Sequence, residues 1–129
     1  MVFSRPISRA ERRIPICRGL QVLNVVTAGT LHLDIRDHDI AETINIQKLR
    51  YDSAAVHRFS AVNSSHHQAI ETPGDGIVVE GWSSTDDIVE QARLRDYPFG
   101  IGVQYHPERH SQYRSLFDDF YEHIVRVRR

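Results

Sequence analysis

Three side chains in this 129-residue chain have the types and the setting for covalent acyl chemistry. Cys17 is the single cysteine. It follows the apolar residues Ile14 and Ile16 and precedes Leu20, Val22, Leu23, Val25 and Val26. This pattern predicts a strand, a sharp turn and a helix packed on a sheet. A nucleophile at such a turn stands clear of the sheet at a helix N-terminus, where free N–H groups and the helix dipole favour thiolate over thiol. A cysteine among apolar neighbours also fits a small buried hydrophobe. The far end of the chain adds Gly100 to Glu108, an apolar run that ends in a polar loop. His106 and Glu108 are two apart, so in an extended segment both side chains leave on one side. A carboxylate so placed holds an imidazole in one tautomer and leaves its other nitrogen for the sulfur.

The elements that must position these groups are legible in outline. Gly19 is expected to permit the tight turn after Cys17, and Gly29 to close the helix as a C-cap residue. Leu31 to Ile35 suits a short strand. Arg36 to Asp39 reads as a polar surface turn. Asp34, Asp37, His38 and Asp39 show no recognisable ligand spacing, so no metal and no cofactor are expected. Ile40 to Tyr51 lacks a clear period. Val56 to Val62 alternates like a strand and leads into the turn Asn63-Ser64-Ser65-His66-His67-Gln68. Asn and Ser suit a turn whose backbone amides face a carboxylate. After the turn at Pro73 to Gly76, Ile77–Trp82 and Ile88–Ala92 read as a hairpin. Tyr113, Leu116, Phe117, Phe120, Ile124 and Val125 recur at helical spacing, and the basic residues after them suit a helix C-terminus.

Composition bounds the rest. Apolar residues make up 40% and charged residues 26%, as in a globular domain. A net charge of −1 implies no general attraction to nucleic acid or membrane. No apolar run has the length of a membrane span. One cysteine excludes an intramolecular disulfide and fits a reducing compartment. The first 13 residues are Arg-rich but lack a signal-peptide apolar region. The expectation is a solvated tail over 1–13, one domain over 14–129 and a cytoplasmic location.

Four segments carry a family resemblance. Ile16-Cys17-Arg18-Gly19-Leu20-Gln21 with Leu23-Asn24-Val25, Gly29-Thr30-Leu31-His32 with Asp34-Ile35, Val62 to Ala69, and Gly102 to Glu108 stand in order. They resemble the class I glutamine amidotransferase superfamily, most closely its peptidase C26 branch of γ-glutamyl-γ-aminobutyrate hydrolase type. The resemblance implies an α/β fold: a flavodoxin-like three-layer sandwich with a mostly parallel sheet and a β-hairpin, here incomplete. It implies a Cys17-His106-Glu108 triad that hydrolyses γ-glutamyl amides through a γ-glutamyl thioester. It gives the backbone N–H of Arg18 to the oxyanion, and Gln21, Asn63, Ser64 and His66 to the substrate.

Family members are about twice as long, and their N-terminal half supplies sheet strands and a glycine-rich loop with the second oxyanion donor. Another chain is a candidate to complete the sheet. Pro15 stands where the family has Gly, and a proline is unwelcome in a central parallel strand. Arg12 and Arg13 stand where a buried strand wants apolar residues. Two other functions stay open: a non-catalytic remnant or interaction module, and a glutaminase unit that supplies ammonia to a synthetase.

Overall fold

The structure, a computed structural model, describes residues 14–41, 44–95, 97 and 99–127. The expected tail over 1–13 lies outside the described residues. Helix α1 runs from Arg18–Val26 and α2 from Arg114–Val127, the latter after two short 3-10 turns at Pro107–Arg109 and Ser111–Tyr113. The strands are β1 Thr30–His32, β2 Asp39–Ala41, β3 Gln47–Tyr51, β4 Ala61–Val62, β5 Ser64–Ser65, β6 Ala69–Thr72, β7 Ile77–Ser83, β8 Val89–Leu94 and β9 Ile101–Val103. The main sheet has the order β4-β3-β7-β8-β9. Two small ribbons, β1 with β6 and β2 with β5, stand beside it. No described helix is long and apolar enough to cross a membrane.

Three layers follow from where the apolar faces go. Leu20 and Leu23 of α1 pack with Ile70, Ile77, Val89, Ala92 and Leu94. Tyr113 and Leu116, at and just inside the start of α2, pack with Val62, Phe99, Ile101, Val103 and Tyr105. Gly102 makes the α1 contact possible, because a Cβ there would stand 2.5 Å from Leu20 Cδ1. β8 is an interior strand, and its polar residues Glu90 and Gln91 are buried. Glu90 and Gln91 are consecutive and so leave the strand on opposite faces. Gln91 Nε2 donates to Glu80 Oε2 at 2.6 Å, and the Tyr105 hydroxyl donates to Gln91 Oε1 at 2.5 Å.

The sheet departs from the expected parallel majority. Every strand pair among the described residues is antiparallel, and parallel pairing is confined to the bridge between Ile16 and Val103. Short turns join neighbours such as β7 and β8, and a parallel pair needs a long crossover. The bridge uses two bonds: the Cys17 N–H donates to the Val103 carbonyl at 2.7 Å, and the Val103 N–H donates to the Pro15 carbonyl at 3.0 Å. The next bond upstream in this register would come from the N–H of residue 15. Proline has none, so the ladder stops there.

Two glycine roles differ from expectation. The tight turn is made by Cys17 itself, at φ 51° and ψ −106°. Gly19 is an ordinary helical residue, and a Cβ on it would meet only Pro15 Cβ, at 3.7 Å. At the helix end the left-handed position belongs to Ala28, at φ 74°, not to Gly29. The Ala28 N–H donates to the Val25 carbonyl and the Gly29 N–H to the Asn24 carbonyl, a Schellman closure. Gly29 is needed for another reason: a Cβ there would lie 2.6 Å from the Gly74 nitrogen. Gly19→Ala and Ala28→Gly are each expected to raise unfolding stability by about 0.5–1 kcal/mol, read from denaturant midpoints.

Elsewhere the outline holds with shifted bounds. The hairpin, the Cys17 helix and the C-terminal helix form. The segment Val56 to Val62 yields only the two residues of β4, and Ile40 to Tyr51, which shows no period, contains β2 and β3.

Candidate active site

Cys17 and His106 leave from the carboxyl ends of two paired segments. Cys17 follows Ile16, and His106 stands three residues beyond that residue's bridge partner Val103. Open α/β sheets present their chemistry at such strand ends. Asn63 fixes the His106 backbone from both sides. Its Oδ1 accepts from the His106 N–H at 2.8 Å, and its Nδ2 donates to the His106 carbonyl at 2.9 Å. Asn63 is fully buried, and its own N–H donates to the Tyr113 hydroxyl at 3.3 Å.

The imidazole is held by Glu108, with Nδ1 2.7 Å from Oε2. That carboxylate only accepts, so Nδ1 carries the proton and Nε2 keeps its lone pair in the neutral ring. No hydrogen bond joins Cys17 Sγ to His106 among the described residues. Catalytic hydrogen bonds without substrate are commonly long and tighten when it binds.

The sulfur is half-buried, and its thiol is pushed up from the ordinary value. Burial is the main cause. A hydrogen bond from the Arg18 backbone and the charges of Arg109 and Arg18 pull the other way, and Glu90 adds a push upward. This corrects the expectation of a thiolate favoured by the helix alone. The dipole of a nine-residue helix is worth about 0.3–1 kcal/mol, less than the loss of water around a sulfur anion. Cys17 therefore rests as a thiol and needs a base.

A groove of about 700 Å³ opens over the sulfur. Cys17, Arg18, Gln21, His66, His67 and Gln68 line one part of it. Gln21 Nε2 donates to the Gln68 carbonyl at 2.8 Å and to Gln104 Oε1 at 3.3 Å, which ties α1 to the turn before β6. Of the residues expected on substrate, Gln21 and His66 reach this groove. Asn63 and Ser64 do not. The Asn63 side chain is spent on His106, and the Ser64 hydroxyl donates to the His38 carbonyl at 2.7 Å. Both polar groups are consumed inside, so each positions backbone and neither faces the groove.

The turn Arg36 to Asp39 is not wholly a surface feature. His38 is 1% exposed. Its ring points to Asp86 and to the buried Glu90, which also faces His66. Asp37 stays exposed with a left-handed backbone, and Asp39 pairs with the exposed His67 at 3.0 Å. Asp86 and Glu90 do not stand out by sequence reasoning. The available signal is an acid, Glu90, in the middle of an apolar strand pattern.

Known proteins resemble the chain in sequence and in fold. A family model described as peptidase C26 matches residues 7–108. A Mycobacterium tuberculosis protein assigned as a glutamine amidotransferase is 36% identical over 123 residues, which covers 86% of this chain and 40% of that protein. The Escherichia coli γ-glutamyl-γ-aminobutyrate hydrolase PuuD is 33% identical over 137 residues, covering 85% of this chain and 54% of its own length. A solved Thermoplasma acidophilum structure assigned as a GMP synthase subunit superposes with a TM-score of 0.67 at 18% identity, over 88% of this chain and 57% of that one. The chain thus spans about half the length of the curated relatives it matches. The fold is an incomplete flavodoxin-like glutamine amidotransferase fold.

Proposed function

The chain belongs to the peptidase C26 family, and from that membership we propose that it supplies the nucleophile half of a γ-glutamyl amide hydrolase. The observation that carries the reading is the pair of bridged segments, one of which ends in Cys17 at a strained turn while the other leads to a Glu108-held His106. His106 Nε2 takes the thiol proton as Cys17 Sγ attacks the γ-carbonyl carbon. The C–N bond breaks, the proton passes to the leaving amine, and a γ-glutamyl thioester remains. Water then attacks the thioester, with His106 as base, and releases glutamate and the thiol. The N–H of Arg18, the first residue of the helix after Cys17, is one oxyanion donor. Gln21 and His66 stand in the groove wall for the glutamyl end.

Among the described residues Ile16 is paired on one side only, by Val103. A further segment or partner chain on its free side would continue the sheet and bring the second oxyanion donor. One such donor is worth about 3 kcal/mol, or a hundredfold or more in rate.

Covalent labelling tests the reading. A chloroketone or diazo-ketone analogue of glutamine is expected to label Cys17 selectively and saturably, with Cys17→Ser unlabelled, by intact mass. A plain alkylating agent supplies the pH control. Because the folded thiol titrates above its ordinary value, its reactive anion grows only as pH rises through that raised value. Plain alkylation should therefore climb with pH to a midpoint above that of a free thiol. Glutamine-analogue labelling no faster than plain alkylation would sink the proposal for this chain by itself.

A further inference from the structure

A second cluster of ligand-type side chains lies beside the groove. Glu90 of β8 is fully buried, and its Oε2 stands 3.1 Å from His66 Nε2 and 3.1 Å from His38 Nδ1. The far nitrogens of both rings are already engaged. His38 Nε2 lies 2.7 Å from Asp86 Oδ2, and His66 Nδ1 lies 2.8 Å from the Gln68 carbonyl. Carboxylate and carbonyl oxygens only accept, so these far nitrogens hold the ring protons. In the neutral tautomers that leaves two imidazole lone pairs aimed at one carboxylate. His38 Nδ1 and Glu90 Oε1 have no hydrogen-bond partner among the described residues. Three donors of negative character thus converge in a buried site.

Such a group needs either two added protons or one divalent cation between its members. The dimensions suit the cation. Zn–N and Zn–O bonds of about 2.0–2.2 Å in a tetrahedron separate ligand atoms by about 3.3–3.6 Å. The three candidate atoms all lie within 4.8 Å of one another, two of the separations being 3.1 Å. The outer contacts are also those of metal-bound histidines, whose second nitrogen donates to a carboxylate or a backbone carbonyl. His66 forms part of the groove wall, which gives an ion access from solvent.

We propose that His38 Nδ1, His66 Nε2 and the Glu90 carboxylate bind a divalent first-row transition-metal ion, with zinc the best fit. Asp86 orients His38, and the Gln68 carbonyl orients His66. The ion joins the turn before β2, the turn before β6 and strand β8, and so braces the wall of the Cys17 groove. The site shares His66 with the groove wall, but Cys17, His106 and Glu108 take no part in it, so zinc binding can be read without any hydrolytic activity.

The test is equilibrium zinc binding by the full chain after chelator treatment, in competition with a chromogenic chelator. Stoichiometric binding is expected. His38→Gln and Glu90→Gln should each weaken it by about a hundredfold or more, and Asp86→Asn by about 10- to 100-fold. Cys17→Ser should bind as the unaltered chain does. Cobalt(II) should give visible bands of low coordination number without a thiolate charge-transfer band. This reading needs no variant to fold. Sub-stoichiometric zinc on the unaltered chain, a thiolate band with cobalt, or binding lost with Cys17 and retained without His38 would each overturn the proposal.

Discussion

Replacing His106 with alanine is expected to lower γ-glutamyl amide turnover by about a hundred- to ten-thousand-fold, the usual range for a positioned general base. The effect is large because Cys17 rests as a thiol. Burial raises its proton affinity, and the nearby Arg18 and Arg109 charges do not offset that. Without an imidazole the attacking anion is scarce at neutral pH. Loss of His106 should therefore fall hardest near neutrality, and added hydroxide should recover part of the rate. The release of nitroaniline from γ-glutamyl-p-nitroanilide, followed across pH, checks both points. Stability should fall by about 1 kcal/mol, since the largely buried ring loses packing while its Glu108 partner is half-exposed. Equal activity of His106→Ala and the unaltered chain would remove His106 from the mechanism.

The largest stability effect is expected at Asn63. Asn63→Ala removes two hydrogen bonds at once and leaves the His106 N–H and carbonyl to find other partners. Each unsatisfied, partly buried polar group costs about 1–3 kcal/mol, so a loss of about 2–4 kcal/mol follows. For a domain of this size that lowers the melting temperature by about 10 °C or more. Asn63→Asp separates the two bonds: the carboxylate still accepts from the His106 N–H, but no donor reaches the carbonyl. A melting temperature unchanged in Asn63→Ala would show that the clamp does not hold the His106 loop. Activity lost in Asn63→Ala at temperatures where it stays folded would mark Asn63 as a positioning residue.

The parts of the site made of reactive groups are legible in the sequence. Cys17, His106 and Glu108 can be picked out by chemistry, and Ile16 and Val103 by their apolar runs. The parts made of polar groups spent on backbone are not. Asn63 and Ser64 look like groove residues by type, yet a side-chain amide meets a backbone peptide as readily as a ligand. His38 sits among Arg36, Asp37 and Asp39, so its run reads as solvated, although the ring turns inward to Glu90. β3 escapes notice because Gln47, its one buried position, is polar and donates to the Ser83 hydroxyl at 2.6 Å. Antiparallel pairing is hidden for a different reason. Hairpin connections are local and visible, whereas the family pattern implies parallel crossovers, which among the described residues are confined to the bridge between Ile16 and Val103.

Two amide protons, those of Cys17 and Val103, are clocks for the proposed catalytic geometry. Each is donated across the parallel bridge between Ile16 and Val103, so solvent can exchange one only when the bridge opens and then reaches the other as well. The amides of α1 from Gln21 onward have partners within the helix and keep separate time. Opening the bridge also parts the Cys17 turn from the segment that carries His106. The fraction of time in which these two protons are open to deuterium is therefore the fraction in which the proposed nucleophile and base are out of register. Slow, matched exchange at both positions would describe a chain that holds its chemistry assembled while it waits for substrate.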